Sequence, residues 1–198
     1  MSDINTNQET WYKRHLDSTS HVYAAFGRFI SQYATVEETI HILFRQCTGL
    51  HDNAARAISS GMRLIDLIQR IRRLNKANKK PAITQDALEM LFEQFSLIHN
   101  LRDILVHRRS VFWGDEIISM NHMTSKSLDD SEKLTAHFKD IDNATTDLCV
   151  IYIKLFNLMD PANPTYQKMI QEKRLESYTW LYKRLLPEKS NQSPSNSQ

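Results

Sequence analysis

Apolar residues recur along most of this chain at alternating intervals of three and four, the repeat of a single helical face. Over residues 21–47 the seam reads Phe26, Ile30, Tyr33, Glu37, Ile40, Phe44 and Cys47, with Glu37 its one charged member. Gly49 supplies a stop for that helix. A short segment over 53–60 breaks at Ser59-Ser60-Gly61, and a second helix carries Leu64, Ile65, Ile68, Ile71 and Leu74 up to Asn78-Lys79-Lys80-Pro81. Thr84 is placed to cap the next long helix, whose seam is Leu88, Leu91, Phe95, Ile98, Arg102 and Leu105; here the intruder is Arg102. A third long helix is predicted over 131–159, with Leu134, Phe138, Ile141, Thr145, Leu148, Tyr152, Leu155 and Met159 on one stripe, ending at Asp160-Pro161. Met169, Ile170, Tyr178, Leu181 and Leu185 predict one more amphipathic helix over 165–186.

A strand pattern stands out in one place. Val111-Phe112-Trp113 and Glu116-Ile117-Ile118 flank Gly114-Asp115, as in a hairpin closed by a two-residue turn. The sum is an all-α fold: an antiparallel four-helix-type bundle over residues 17–160 with a small β-hairpin insertion. A flexible segment over 1–16 precedes it. A C-terminal appendage over 161–186 carries the extra helix, and the Ser-, Asn-, Gln- and Pro-rich tail over 187–198 is too polar to fold alone.

Composition narrows the picture further. Four Gly and five Pro in 198 residues are too few for a turn-rich β-sandwich or barrel. With 25 Lys+Arg against 23 Asp+Glu, the net charge of +2 gives the whole molecule no strong pull toward nucleic acid or membrane, so any basic surface is local. Cys47 and Cys149 lack C-x-x-C spacing and fall on apolar helical faces, as packed thiols in a reducing compartment would. Residues 1–10 resemble no export signal, and the most apolar stretch is short and broken by Lys154, so a cytoplasmic location without membrane contact is expected.

The chemistry concentrates in Asn100-Leu101-Arg102-Asp103-Ile104-Leu105-Val106-His107-Arg108-Arg109. A guanidinium on an apolar seam needs an anion or acceptors, because it cannot deprotonate and is costly to bury alone. Glu37, the matching intruder of the first helix, is the simplest partner; a buried Arg102–Glu37 pair would fix the register of two helices. Asp103 lies four residues before His107, where a carboxylate can orient the imidazole for general acid–base work, while Arg102 can stabilise charge on a phosphoryl group. Arg102 and His107, however, are five apart and diverge by roughly 140° on a straight helix at roughly 100° per residue. Either the helix ends or distorts near His107, or a second copy completes the set across a two-fold axis.

Arg102-Asp103-x3-His107, late in the third major helical segment, resembles the R-x4-to-6-H motif of the HEPN superfamily, including its preference for Asn, Asp or His directly after the Arg. The likeness in helix order and motif placement covers roughly residues 17–159. It implies a dimeric, metal-independent endoribonuclease without a cofactor, often a toxin or an antiviral defence effector under an antitoxin or another defence-system protein. Arg102 would bind and polarise the scissile phosphate, His107 would move a proton or stabilise the transition state, and Asp103 would hold the site in place. The RNA 2′-hydroxyl would be the nucleophile, so DNA is spared and a cyclic phosphate is left. Asn100, Arg108 and Arg109 would hold substrate. In toxins of the family silenced by nucleotidyl transfer a Tyr stands two residues after the His; here that position is Arg109.

Other readings compete with this one. A non-catalytic interaction or assembly module, binding a protein or nucleotide, would keep Arg102 and Glu37 as a structural pair and make His107 incidental. A metal-assisted hydrolase would use His99, Asp103 and His107, spaced to line one helical face, although Arg102 beside them opposes a cation. Arg70, Arg72, Arg73, Lys76, Lys79 and Lys80 form a basic run that could meet an RNA backbone or simply be a solvated helix face.

Overall fold

The computed structural model describes residues 3–77, 84–113, 116–120 and 133–184. Helix accounts for 77% of them, in six α-helices, and the remaining regular structure is a three-stranded antiparallel sheet, one strand more than the predicted hairpin. In chain order the elements are α1 (Asp3–Thr48), α2 (Asp52–Ser59), α3 (Leu64–Ala77), α4 (Gln85–His107), β1 (Arg109–Trp113), β2 (Glu116–Met120), β3 (Lys133–His137), α5 (Phe138–Met159) and α6 (Pro164–Glu172). A 3-10 turn, Leu175–Ser177, follows α6.

Residues 3–16, expected as a flexible segment, continue α1 toward the N-terminus; no Gly or Pro precedes Gly27 to interrupt the helical ladder. The buried stripe of α1 is Val22, Ala25, Phe29, Tyr33, Val36, Ile40 and Leu43, rotated from the predicted seam. Phe26, Ile30 and Cys47 pack at its edge, and Glu37 is half-buried rather than central. Gly49 at φ +63° ends α1, as its position in the sequence predicts. On α4 the innermost residues include Leu88, Leu91, Phe92, Phe95, Ile98, Leu101 and Leu105. Leu101 therefore takes the core position that the regular spacing assigns to Arg102. α1 packs along α5 and against α3, while α4 meets both α5 and α3, with Phe29, Phe92 and Phe95 among the largest fully buried side chains.

α5 starts at Phe138, not at residue 131. Leu134 and Ala136 are buried and alternate with the more exposed Thr135 and His137, a period-two pattern that pairs β3 to the buried Ile117 and Ser119 face of β2. The Asp140 carboxylate accepts from the His137 backbone N–H at 2.8 Å and caps α5. β1 pairs with β2 from Arg109↔Met120 to Trp113↔Glu116, and the Ser110 and Ser119 hydroxyls meet across it at 2.7 Å. The expected Gly114-Asp115 turn and the 187–198 tail lie outside the described residues.

The predicted helix over 165–186 is also corrected. α6 stops at Glu172, Arg174 adopts φ +50°, and residues 178–184 run without helix or strand. Asp147, fully buried on α5, holds this strap: its carboxylate accepts from Tyr178 Oη at 2.8 Å, Leu181 N at 3.1 Å, Tyr182 N at 2.9 Å and Gln94 Nε2 at 2.8 Å. Specific acceptors for the strap's backbone N–H groups replace the helical ladder here.

Candidate functional site

The site forms where α4 ends. His107 is the last residue of α4; Arg108 caps it with its N–H on the Ile104 carbonyl, at φ −97° and ψ 153°, and the extended backbone continues into β1. This end is exposed, and there Arg102 Nη1 lies 3.1 Å from His107 Nε2. A guanidinium has no acceptor, so Arg102 donates and Nε2 carries the lone pair. The angular divergence that the sequence imposes is thus bridged inside one chain, by a long side chain reaching along α4 to its terminal residue.

Arg102 donates from the same Nη1 to Asp103 Oδ1 at 2.9 Å, and its guanidinium lies over the Tyr33 ring at 5.6 Å. Among the described residues no Arg102–Glu37 ion pair forms. The expected register-fixing pair is replaced by a pair between neighbours on α4, because Arg102 sits at the rim, with 31% of its side chain exposed, and not in the core. Glu37 instead lines a cleft of about 520 Å³ with Glu38, His41, Arg45 and Arg56.

Asp103 turns away from its expected partner. Its Oδ2 lies 3.5 Å from His99 Nε2, one turn back along α4, so the carboxylate addresses Arg102 and His99 instead of orienting His107. His99 Nδ1 in turn meets the Tyr33 hydroxyl at 2.6 Å, and the His99, Tyr33 and Phe95 rings stack with centroids 5.5–6.4 Å apart. Burial first, and then the Glu37 charge, push the Tyr33 hydroxyl well above the usual tyrosine range, so it is a neutral O–H at any ordinary pH. In the sequence His99 stands out only as a candidate metal ligand, by its i,i+4 spacing to Asp103, and Tyr33 only as a member of the apolar seam.

The proposed metal trio does not converge, because His107 is engaged by Arg102; among the described residues no group of three His, Cys, Asp or Glu side chains is placed to hold a metal ion. Asn100 is exposed one turn before Asp103, Arg108 is half-buried at the cap, and Arg109 opens β1. In the basic run of α3, Arg72 is spent on Glu89 at 2.7 Å and on the Phe92 ring at 5.5 Å, whereas Arg70, Arg73 and Lys76 are exposed; Lys79 and Lys80 lie outside the described residues. Both cysteines are free thiols: Cys47 is half-buried, and that burial raises it above the ordinary range, whereas Cys149 is an exposed residue, not the packed one its position predicts, whose thiol is raised by partial desolvation against the opposing charge of Lys173. Among the described residues no helix is long and apolar enough to cross a membrane. No protein-family model, curated protein or solved structure matches this chain.

Proposed function

We propose that this chain is a metal-independent endoribonuclease of HEPN type, built on an antiparallel four-helix-type bundle and acting as a homodimer with two Arg102–His107 sets facing each other. The observation that carries this reading is the 3.1 Å approach of Arg102 to His107 at an exposed helix end. An always-charged donor and a titratable base then stand within reach of one phosphodiester. Among the described residues Arg102 makes no hydrogen bonds beyond those to Asp103 and His107, which leaves its Nε and Nη2 donors for non-bridging phosphate oxygens. Val106 and Val111, exposed before and after His107 in the chain, add apolar surface for the second copy.

In the reaction the RNA 2′-oxygen attacks phosphorus, the bond from phosphorus to the 2′-oxygen forms, and the bond to the 5′-oxygen breaks. On substrate binding the 2′-hydroxyl replaces Arg102 Nη1 at His107 Nε2, which takes its proton, and the 5′-oxygen leaves with a proton from solvent. A cyclic phosphate results and DNA, lacking the nucleophile, is spared. Asn100, Arg108 and Arg109 hold the strand. A cytoplasmic toxin or antiviral defence effector, restrained by an antitoxin or another defence-system protein, is the role that fits such an activity.

The test is cleavage of a mixed RNA pool by the purified chain in EDTA, beside Arg102→Ala, His107→Ala and a DNA control. RNA cleavage lost in both variants, with dimer and fold retained by light scattering and circular dichroism, is the expected result. A second reading, a non-catalytic assembly module, is favoured by the engagement of Arg102 with Asp103, His107 and the Tyr33 ring inside its own chain. Intact RNA with wild-type protein selects that reading.

A further inference from the structure

We propose that Tyr33 and His99 are positioning residues for the Arg102–His107 pair, gripping the Asp103 carboxylate from the core side and so fixing the guanidinium. The proposal deepens the ribonuclease reading and rests on it. It starts from a geometrical difficulty: Arg102 and Asp103 are adjacent on a helix, and adjacent residues do not face each other. Their side chains are 31% and 44% exposed, and an exposed pair of this kind is normally too weak to hold two flexible side chains in one arrangement. An anchor is required, and it lies on the inner side of Asp103.

That anchor is rigid. Tyr33 is 4% exposed in the middle of α1, stacked on Phe95, and its hydroxyl is 2.6 Å from His99 Nδ1. Asp103 Oδ2, an acceptor only, faces His99 Nε2 at 3.5 Å, so we place the imidazole proton on Nε2, with Nδ1 accepting from the Tyr33 hydroxyl. The other carboxylate oxygen takes one Nη1 hydrogen of Arg102 at 2.9 Å, and the second Nη1 hydrogen points to His107 Nε2 at 3.1 Å. Hydrogen bonds join Tyr33 to His99, and Arg102 to Asp103 and His107, and the two halves meet where His99 Nε2 faces Asp103 Oδ2 at 3.5 Å. Tyr33 acts twice, because its ring also lies beneath the guanidinium. A core residue of α1 thereby sets the position of the outermost residues of α4.

The experiment joins a spectroscopic and a kinetic arm on the full chain. Isotope-labelled histidine reports by NMR which His99 nitrogen carries the proton; the expected result is a fixed tautomer with Nε2 protonated, lost in Tyr33→Phe, which keeps the ring and removes only the hydroxyl. In steady-state RNA cleavage, Tyr33→Phe is expected to lower kcat about 10-fold and His99→Phe about 100-fold at unchanged KM. His99→Gln, which can return an N–H toward Asp103, is expected to recover part of the loss. Wild-type rates in Tyr33→Phe and His99→Phe, beside a dead Arg102→Ala, overturn the proposal while the ribonuclease reading stands. If wild-type protein cleaves no RNA, the ribonuclease reading falls by itself and the NMR arm decides the chain: a fixed Nε2–H tautomer that depends on Tyr33 upholds the grip on Asp103, and an exchanging imidazole overturns it.

Discussion

Arg102 and His107 lie five positions apart on α4, and their side chains meet at 3.1 Å. Two features make this work: an arginine long enough to reach along the helix, and a helix that ends on His107 and so frees that side chain from a following turn. Lysine cannot replace the first. Its ammonium is a point charge without the planar fork needed to hold Asp103 and a phosphate together. Arg102→Lys is therefore expected to fold normally and to lose about 10²–10³ in RNA cleavage rate; a variant within threefold of wild type in single-turnover assays would contradict this geometry.

Asp103→Asn tests the middle of the network. The amide retains one acceptor oxygen but presents N–H groups where His99 or Arg102 also offers a donor. Since Asp103 is 44% exposed, the effect on stability should stay within about 0.5 kcal/mol, while kcat for RNA falls about 10-fold through misplacement of Arg102. Urea unfolding and cleavage kinetics on the same preparation separate the two.

The predicted helices were legible wherever apolar spacing was regular, because burial of one face dictates that spacing. Rotation about the helix axis was not legible to one residue. Glu37 and Arg102 fit a seam by count, yet Val36 and Leu101 beside them are the buried residues, so the inferred charged pair had no common plane. β3 was hidden for a related reason: Leu134 and Phe138 suit a helical stripe as well as Leu134 and Ala136 suit a strand, and only pairing with Ile117 and Ser119 decides between them. Arg102, Asp103 and His107 were legible as candidates from local spacing, although Asp103 turns to Arg102 and His99 and not to His107. Tyr33 was not, since its link to His99 spans 66 residues and no local pattern carries it. Asp147 escaped in the same way, its partners Gln94, Tyr178, Leu181 and Tyr182 being distant in sequence.

Tyr33 and Tyr178 predict the alkaline limb of stability. Both hydroxyls are held above the ordinary tyrosine range, chiefly by burial, with Glu37 adding to the shift at Tyr33 and the hydrogen bond to Asp147 at Tyr178. A raised folded-state value means that the unfolded chain loses these protons first. Their contribution is fully present below the unfolded tyrosine value of about 10 and is lost as pH rises above it. Urea midpoints should thus fall above about pH 10, beyond the decline that the raised thiols of Cys47 and Cys149 begin at lower pH, with a shallower fall in the Tyr33→Phe, Tyr178→Phe double variant. An unchanged slope in that variant would assign the alkaline loss elsewhere.

Asp147 fastens the C-terminal strap to the helices. Its carboxylate is fully buried and accepts four hydrogen bonds, two of them from the backbone N–H groups of Leu181 and Tyr182. Gln94 reinforces the junction by donating also to the Tyr182 carbonyl at 3.1 Å. In Asp147→Ala the two backbone donors lose their acceptor, at roughly 1–3 kcal/mol each if they stay buried. Undocking returns both N–H groups to water and removes that cost, so the strap should peel away locally before the molecule unfolds. Hydrogen exchange checks this directly: the amides of Leu181 and Tyr182 should lose protection in Asp147→Ala while those of Phe95 and Ile98 in α4 keep theirs. Tyr178→Phe, which removes one donor and leaves the backbone pair intact, should change the same amides far less. If Asp147→Ala lowers protection uniformly across α4, α5 and the strap, Asp147 supports the whole core and the strap has no separate stability.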